Sequence, residues 1–297
     1  MGEMLTERVD PRYRDIDVAS VAELAMLMNE ADAGVPVAVR AAMGQIVTAI
    51  SAITARLEMG GRLIYVGAGT AGRIGVLDAS ECPPTFNTDP EQVQAIIAGG
   101  PSAIVNAGEG AEDDVDAGAR AIAERTVGPA DAVVGIAASG RTPFVLGALA
   151  AARERGALTV ALSCNPGAPL SAAAECPIEV LVGPEVLAGS TRLRAGTAQK
   201  MVLNMISTIA MVRLGKTYGN LMVDLRATNA KLRERAVRIV ETVTGAERGR
   251  AEAALQAAGL EVKVAIVMIM SEVEADEARR RLAAAAGRLR VALEGRA

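Results

Sequence analysis

The chain contains no histidine and no tryptophan, and only 2% of its 297 residues are aromatic. The missing imidazole excludes the most. A serine–histidine triad, a histidine-ligated metal and an imidazole general base are all ruled out, so proton transfer falls to Glu, Asp, Lys, Tyr or Cys. Cysteine is scarce as well. Cys82, Cys164 and Cys176 are odd in number and widely spaced, with no CxxC pair, so neither a disulfide framework nor a zinc site is expected. Lys and Arg total 31 against 35 Asp and Glu, a net charge of −4 that disfavours a nucleic-acid or anionic-membrane surface. No apolar run approaches the roughly 18 residues of a membrane span. The N-terminus, MGEMLTERVDPRYRDID, has no apolar signal core. A cytoplasmic protein without membrane or nucleic-acid partners is expected.

What the chain does have is aliphatic bulk: 51% of it is hydrophobic, so Ala, Val, Leu, Ile and Met must fill the core. Residues 1–18 read as an extended arm, followed by helical spacing over 21–31 and 38–57. Short apolar runs closed by glycine-rich turns come next, at 63–66, 93–98, 132–136, 159–162 and 178–182, with helical segments such as 113–125 and 143–155 between them. That alternation predicts an α/β fold, a three-layer α/β/α sandwich around a five-stranded parallel sheet. Further helices are expected over 195–214 and 225–244. Beyond a break at Gly245, three short ones are expected over 247–258, 261–270 and 274–293. The expected division is 1–58 for the N-terminal arm and helices, 59–244 for the α/β domain, and 245–297 for a small C-terminal helical unit.

Two loops at strand ends carry the chemical signal. Gly67-Ala68-Gly69-Thr70-Ala71-Gly72 fits the G-x-G-x-x-G pattern of dinucleotide sites, but the strand at 93–98 runs into Gly99-Gly100 instead of a ribose-binding acid. A phosphate or phosphosugar serves equally, because glycines admit an anion close to the backbone and a helix N-terminus offers free N–H groups. Ser139-Gly140-Arg141-Thr142 also opens a helix, ahead of Pro143, and its hydroxyls and Arg suit a phosphate dianion. Ser139 or Thr142 singly also reads as a helix cap. Arg73 has two readings, a phosphate contact or a partner for surface acids. Ser190, Thr191 and Arg192 follow the last strand and either close a sugar site or cap the next helix. Glu112, in Glu109-Gly110-Ala111-Glu112-Asp113-Asp114, is a catalytic carboxylate or part of an acidic first turn. Glu81, before Cys82-Pro83-Pro84, is a catalytic group or a solvated loop charge.

The run Gly67 to Phe86, with its GAGTAGRIGVLDASECPPTF order, resembles the family of N-acetylmuramic acid 6-phosphate etherases and the related glucokinase regulatory proteins, built on the sugar isomerase domain. Gly183-Pro184-Glu185, Gly189 to Lys200 and Gly219 to Asp224 extend the likeness over nearly the whole chain. Ala71 departs from the family's usual Ser, and Arg194 from its usual Lys. The resemblance implies a phosphosugar substrate, a homodimer, and elimination of D-lactate followed by addition of water, without metal or redox cofactor. It makes Glu81 the proton donor and Glu112 the base, with Glu109 a neighbouring decoy. It assigns Gly69, Thr70, Arg73, Ser139, Gly140, Thr142, Ser190, Thr191 and Arg192 to substrate binding. Burial beside the Pro-Pro stretch is expected to keep Glu81 protonated. The alternative is a non-catalytic phosphosugar-sensing regulator of the same fold, although the chain has no room for that relative's two tandem sugar isomerase domains. An aldose–ketose isomerase would commonly recruit the histidine that is missing.

Overall fold

A computed structural model describes residues 4–106, 108, 110–225 and 230–295. Glu109 lies outside the described residues. The arm is not extended: it forms two 3₁₀ turns, Leu5–Glu7 and Pro11–Tyr13, the second capped by the Asp10 side chain, which accepts from Arg12 N–H. Helix α1 (Val21–Ala33) starts on a capping box between Ser20 and Glu23. The stretch expected as one helix over 38–57 is two, α2 (Val35–Ala41) and α3 (Met43–Glu58), parted at Ala42.

The alternation then follows as β1 (Leu63–Gly67), α4 (Gly69–Phe86), β2 (Val93–Ile97), α5 (Val115–Glu124), β3 (Ala132–Ile136), α6 (Pro143–Glu154), β4 (Leu158–Ser163), α7 (Pro169–Ala173) and β5 (Cys176–Glu179). The sheet order is β2-β1-β3-β4-β5 and every pairing is parallel. β5 sits earlier than the expected 178–182, because its ladder ends where β4 ends, at Ser163↔Glu179.

Alternate strand residues face opposite helix layers. Ile64, Val66, Val133 and Ala161 pack with Ile122 of α5 and Phe144, Val145, Ala148 and Leu149 of α6. Helices α5 and α6 touch backbone to backbone. A Cβ on Gly118 would lie 1.9 Å from the Phe144 carbonyl oxygen, and one on Gly147 would lie 2.1 Å from that of Val115. On the opposite face, Tyr65 meets Gly75 of α4, and α3 runs along β3, β4 and β5. These are the layers of an α/β/α sandwich.

Helices α8 (Arg194–Arg213), α9 (Ala230–Thr244), α10 (Arg248–Ala257), α11 (Val262–Ser271), α12 (Ala275–Ala284) and α13 (Leu289–Glu294) complete the chain. The helix expected over 274–293 is interrupted by left-handed Ala286 and Gly287, where Gly287 N–H bonds Leu282 C=O at 2.7 Å. The chain divides into two compact units, Met1–Ser80 with Glu91–Ser207, and Glu81–Pro90 with Thr208–Ala297. The expected boundary at Gly245 falls inside the second unit. The physical reason is a shared core: Ala236 and Val240 of α9 bury together with Leu255, Ile266, Leu282 and Leu289 from the helices that follow. No single helix among the described residues is long and apolar enough to cross a membrane.

An ion pair ties the amino edge of the sheet. Arg62 donates to Asp131 through Nη2 (2.7 Å) and Nε (3.1 Å), and the carboxylate also accepts the N–H groups of Arg62 (2.9 Å) and Gly128 (3.0 Å). Burial pushes the Asp131 carboxyl up, but the Arg62 side chain and the two N–H groups together outweigh it and hold the group below its ordinary 3.8. Such a depressed pKa contributes stability that is complete above the unfolded value and is lost as pH falls through the folded one. Asp131→Asn is therefore expected to cost about 2 kcal/mol at pH 7. In urea unfolding, the difference from the unaltered protein should shrink as pH falls below the ordinary 3.8 and through the lower folded-state value of Asp131.

Candidate functional site

Gly67 at the end of β1 pairs with Ile136 at the end of β3, so the two loops singled out in the sequence leave the sheet side by side at its carboxyl edge. This is the point where strand order reverses, and open α/β sheets bind ligands there. Packing requires glycine at both loops. A Cβ on Gly67 would meet Gly72 N at 2.6 Å, and one on Gly140 would meet Ala168 Cβ at 2.3 Å, with Gly140 at φ +67° besides.

Helix α4 starts at Gly69, with no acidic residue in its first turn to compete with an incoming anion. Ser139 Oγ accepts from Arg141 N–H at 3.2 Å, while Thr142 is the N-cap of α6 and its hydroxyl makes no cap bond. Arg141 itself is exposed. The turn carrying Ser190, Thr191 and Arg192 leads into α8. Gly196, on the first turn of α8, has Thr191 C=O and the Thr70 methyl each 3.4 Å from the place of its absent Cβ, so that turn and the first loop meet there.

The N-terminus of α8 is already occupied. Glu185, 1% exposed, accepts the N–H groups of Arg194 (2.9 Å) and Ala195 (2.9 Å). Burial holds its carboxyl above the ordinary range against the pull of those two bonds. The same burial, with Glu185 nearby, pushes the Cys164 thiol up to about 12, which makes it inert as a nucleophile. An anion arriving at this edge therefore meets no acidic residue in the first turn of α4 and no side-chain cap on α6, whereas the start of α8 already holds a carboxylate.

A cavity of about 280 Å³ lies over the first loop, lined by Ala68, Gly69, Arg73, Ala98, Ala103, Gly108, Gly110 and Glu112. It brings together three of the residues expected from the sequence: Gly69, Arg73 and Glu112. Glu112 stands in a 3₁₀ turn, Ala111–Asp113, ahead of α5, whose N-cap is Asp114 and not Glu112. Its carboxylate is exposed and makes no hydrogen bond or ion pair among the described residues. Arg73 is engaged differently from either reading. Nε donates to Ile104 C=O and Nη2 to Asn106 C=O, both at 2.9 Å, so the guanidinium braces the loop after β2 while still lining the cavity.

Glu81 belongs to the second unit and lies in the last turns of α4, a helix that continues through Pro83 and Pro84. It is exposed, so the apolar burial expected for it is not present in this structure. The prolines deny helical donors to the carbonyls of Ala79 and Ser80 next to it.

Asp78, one turn earlier, was not singled out by the sequence reading. It is 5% exposed and accepts from Tyr65 Oη (2.7 Å), Asn204 Nδ2 (2.6 Å) and Ser207 Oγ (3.1 Å), which ties α4 to β1 and α8. Burial raises its pKa, and the three donors only partly offset that. Its signal was available: it sits at core spacing with Gly75, Ala79 and Cys82, where an acid must be bonded.

The description "Glucokinase regulatory protein N-terminal SIS domain" matches residues 45–153, the SIS (sugar isomerase) domain matches 115–209, and the "C-terminal lid domain of glucokinase regulatory protein" matches 219–262. With the parallel sheet and its two edge loops, they define a sugar isomerase domain protein. An N-acetylmuramic acid 6-phosphate etherase of Rubrobacter xylanophilus is 60% identical over 100% of this chain and 98% of its own. Relatives of the same name from Streptomyces avermitilis (57%; 98% and 93% covered) and Deinococcus radiodurans (52%; 98% and 96% covered) are similar throughout. The chain belongs to the N-acetylmuramic acid 6-phosphate etherase family. Among solved structures, phosphoheptose isomerase GmhA from Neisseria gonorrhoeae is 16% identical over 64% of this chain and 97% of that chain, with a TM-score of 0.49.

The brace made by Arg73 can be tested without ligand. Lys presents a point charge and cannot span two carbonyls as a guanidinium does. Arg73→Lys should speed native-state amide exchange across residues 103–106 by about tenfold, the effect of losing one net hydrogen bond. Unchanged protection there would mean that the brace contributes nothing.

Proposed function

We infer that this chain cleaves the D-lactyl ether of N-acetylmuramic acid 6-phosphate to N-acetylglucosamine 6-phosphate and D-lactate. The observation that carries the reading is 51–60% identity, over 98–100% of the chain, to relatives that all bear the etherase name. The non-catalytic sensor is not favoured, since those relatives are named for the reaction.

An ether resists direct hydrolysis, but in the open-chain sugar the C2 proton is acidified by the aldehyde and the C3 oxygen is β to it. A base removes H2, and the C3–O bond breaks as the lactate oxygen takes a proton from an acid. Water then adds across the resulting C2=C3 double bond, its oxygen at C3. In a chain without histidine, both roles fall naturally to carboxyl groups. Glu112 is the base: it reaches the cavity beside Gly69 and Arg73 and no neighbour among the described residues claims its charge. Glu81 is the proton donor. Gly69, Thr70, Ser139, Gly140 and Thr142 hold the 6-phosphate at the open starts of α4 and α6. Ser190, Thr191 and Arg192 close the sugar side, and Arg73 acts on the cavity through the loop it braces.

The working form is a homodimer. In its support, the apolar side chains Val21 and Met26 of α1 are 85% and 64% exposed, a surface that calls for a cover. A cytoplasmic location suits a substrate whose phosphate cannot cross a bilayer unaided.

The division of labour between the glutamates has distinct signatures. Glu112→Gln should lose both exchange of H2 with deuterated water and release of D-lactate, by about 10²–10⁴-fold. Glu81→Gln should lose lactate release to a similar degree yet retain H2 exchange, which needs only the base. Glu109→Gln is the control and should stay near the unaltered rate. If Glu109 matters and Glu112 does not, the base is misassigned; if neither Glu81 nor Glu112 matters, this acid–base scheme is wrong.

A further inference from the structure

The phosphate loop is held from outside itself. Ala138, the residue before Ser139, accepts at its carbonyl from Cys164 N–H (2.9 Å) and from Asn165 Nδ2 (2.9 Å). The rest of the Asn165 amide faces the N-terminal arm: Nδ2 also donates to Thr6 Oγ1 (3.0 Å), and Oδ1 accepts Thr6 N–H (3.4 Å). The donor and the acceptor end of this amide are thus both engaged, which fixes its plane. Asn165 is 4% exposed and Thr6 is fully buried.

A threonine hydroxyl is costly to bury unless it is bonded, so an arm that merely filled space would be better served by an aliphatic residue. Neighbouring residues anchor the same segment. Glu7 Oε2 lies 3.1 Å from where a Cβ on Gly189 would be, and Tyr13 buries with Ala31 and Val186. The arm therefore touches the loop after β4 at Asn165, which in turn holds the loop after β3 at Ala138, and it also reaches the turn that leads to Ser190.

We propose that Thr6 and Asn165 are positioning residues for the phosphate-binding loop, so that docking of the N-terminal arm sets the affinity for the substrate's phosphate. Asn165 holds the Ala138 carbonyl, and Thr6 holds Asn165. The proposal rests on the assignment of Ser139, Gly140 and Thr142 to the 6-phosphate. It adds that the site is built to its working geometry only with the arm in place. Because the loop binds phosphate in both ground and transition state, its loosening raises KM and leaves kcat nearly untouched.

The test uses the full-length enzyme, D-lactate release as the assay and inorganic phosphate as a competitive probe. Asn165→Asp is isosteric but turns a donor into an acceptor facing the Ala138 carbonyl. It should raise KM and the phosphate Ki together by about tenfold or more, with kcat within about twofold. Thr6→Val should raise both by a few-fold, and Thr6→Ser, which restores the hydroxyl, should return them to the unaltered values. Variants that lower Tm but leave KM and Ki unchanged would show a merely structural arm and overturn the proposal. The double variant Ser139→Ala with Thr142→Ala separates the premise from the inference. If it leaves the phosphate Ki unchanged, the loop assignment fails and the proposal with it. If it raises Ki while Asn165→Asp and Thr6→Val do not, the loop assignment stands and the positioning role fails alone.

Discussion

Two ladders meet on β1. Gly67 pairs with Ile97 on one side and with Ile136 on the other, so the chain leaves β1 in one direction to make β2 and returns across it to make β3. Right-handed crossovers in opposite directions put their helices on opposite faces, which is why α4 packs on the Tyr65 side and α5 on the Ile64 side. The loops after β1 and β3 then diverge above the sheet and leave a crevice that no side chain is obliged to fill. The cavity beside Gly69, the open start of α6 and the brace from Arg73 all follow from that one reversal of strand order.

The crevice is kept narrow by backbone contacts that tolerate no Cβ. Gly67 against Gly72, and Gly140 against Ala168, bring the loops within reach of an anion while the strands beneath stay fully paired. Charge is managed just as tightly. Glu185 saturates the start of α8 and Asp114 caps α5, while the first turn of α4 holds no acidic residue and the start of α6 has no side-chain cap. A negative group is thereby favoured at the starts of α4 and α6 over those of α5 and α8, which already hold a carboxylate.

Much of this was legible in the residues. Five apolar runs between glycine turns announced the parallel sheet, because strands covered on both faces read as unbroken Val, Ile and Ala. The two edge loops stood out as glycines and hydroxyls between a strand and a helix, whereas Glu112 read equally as a catalytic carboxylate or as part of an acidic first turn. The exposure of Glu81 was not legible. Pro83 and Pro84 argue for a helix stop, yet α4 continues through them to Phe86. Nor was the division of the chain readable at Gly245, a natural-looking break, since α9 on its near side shares a core with the helices beyond.

By itself the sequence determined the class of architecture, the exclusion of histidine chemistry and the short list of groups able to move a proton. These depend on residue type and local period, which are properties of the chain before it folds. Only the tertiary structure decided which polar groups have their hydrogen-bonding capacity already taken. Asp78 is bound by Tyr65, Asn204 and Ser207, Glu185 by Arg194 and Ala195, and Asn165 by Ala138 and Thr6, while Glu112 has no partner among the described residues. Partners separated by up to 159 positions in the chain meet through sheet register and helix packing alone, and no local pattern encodes that.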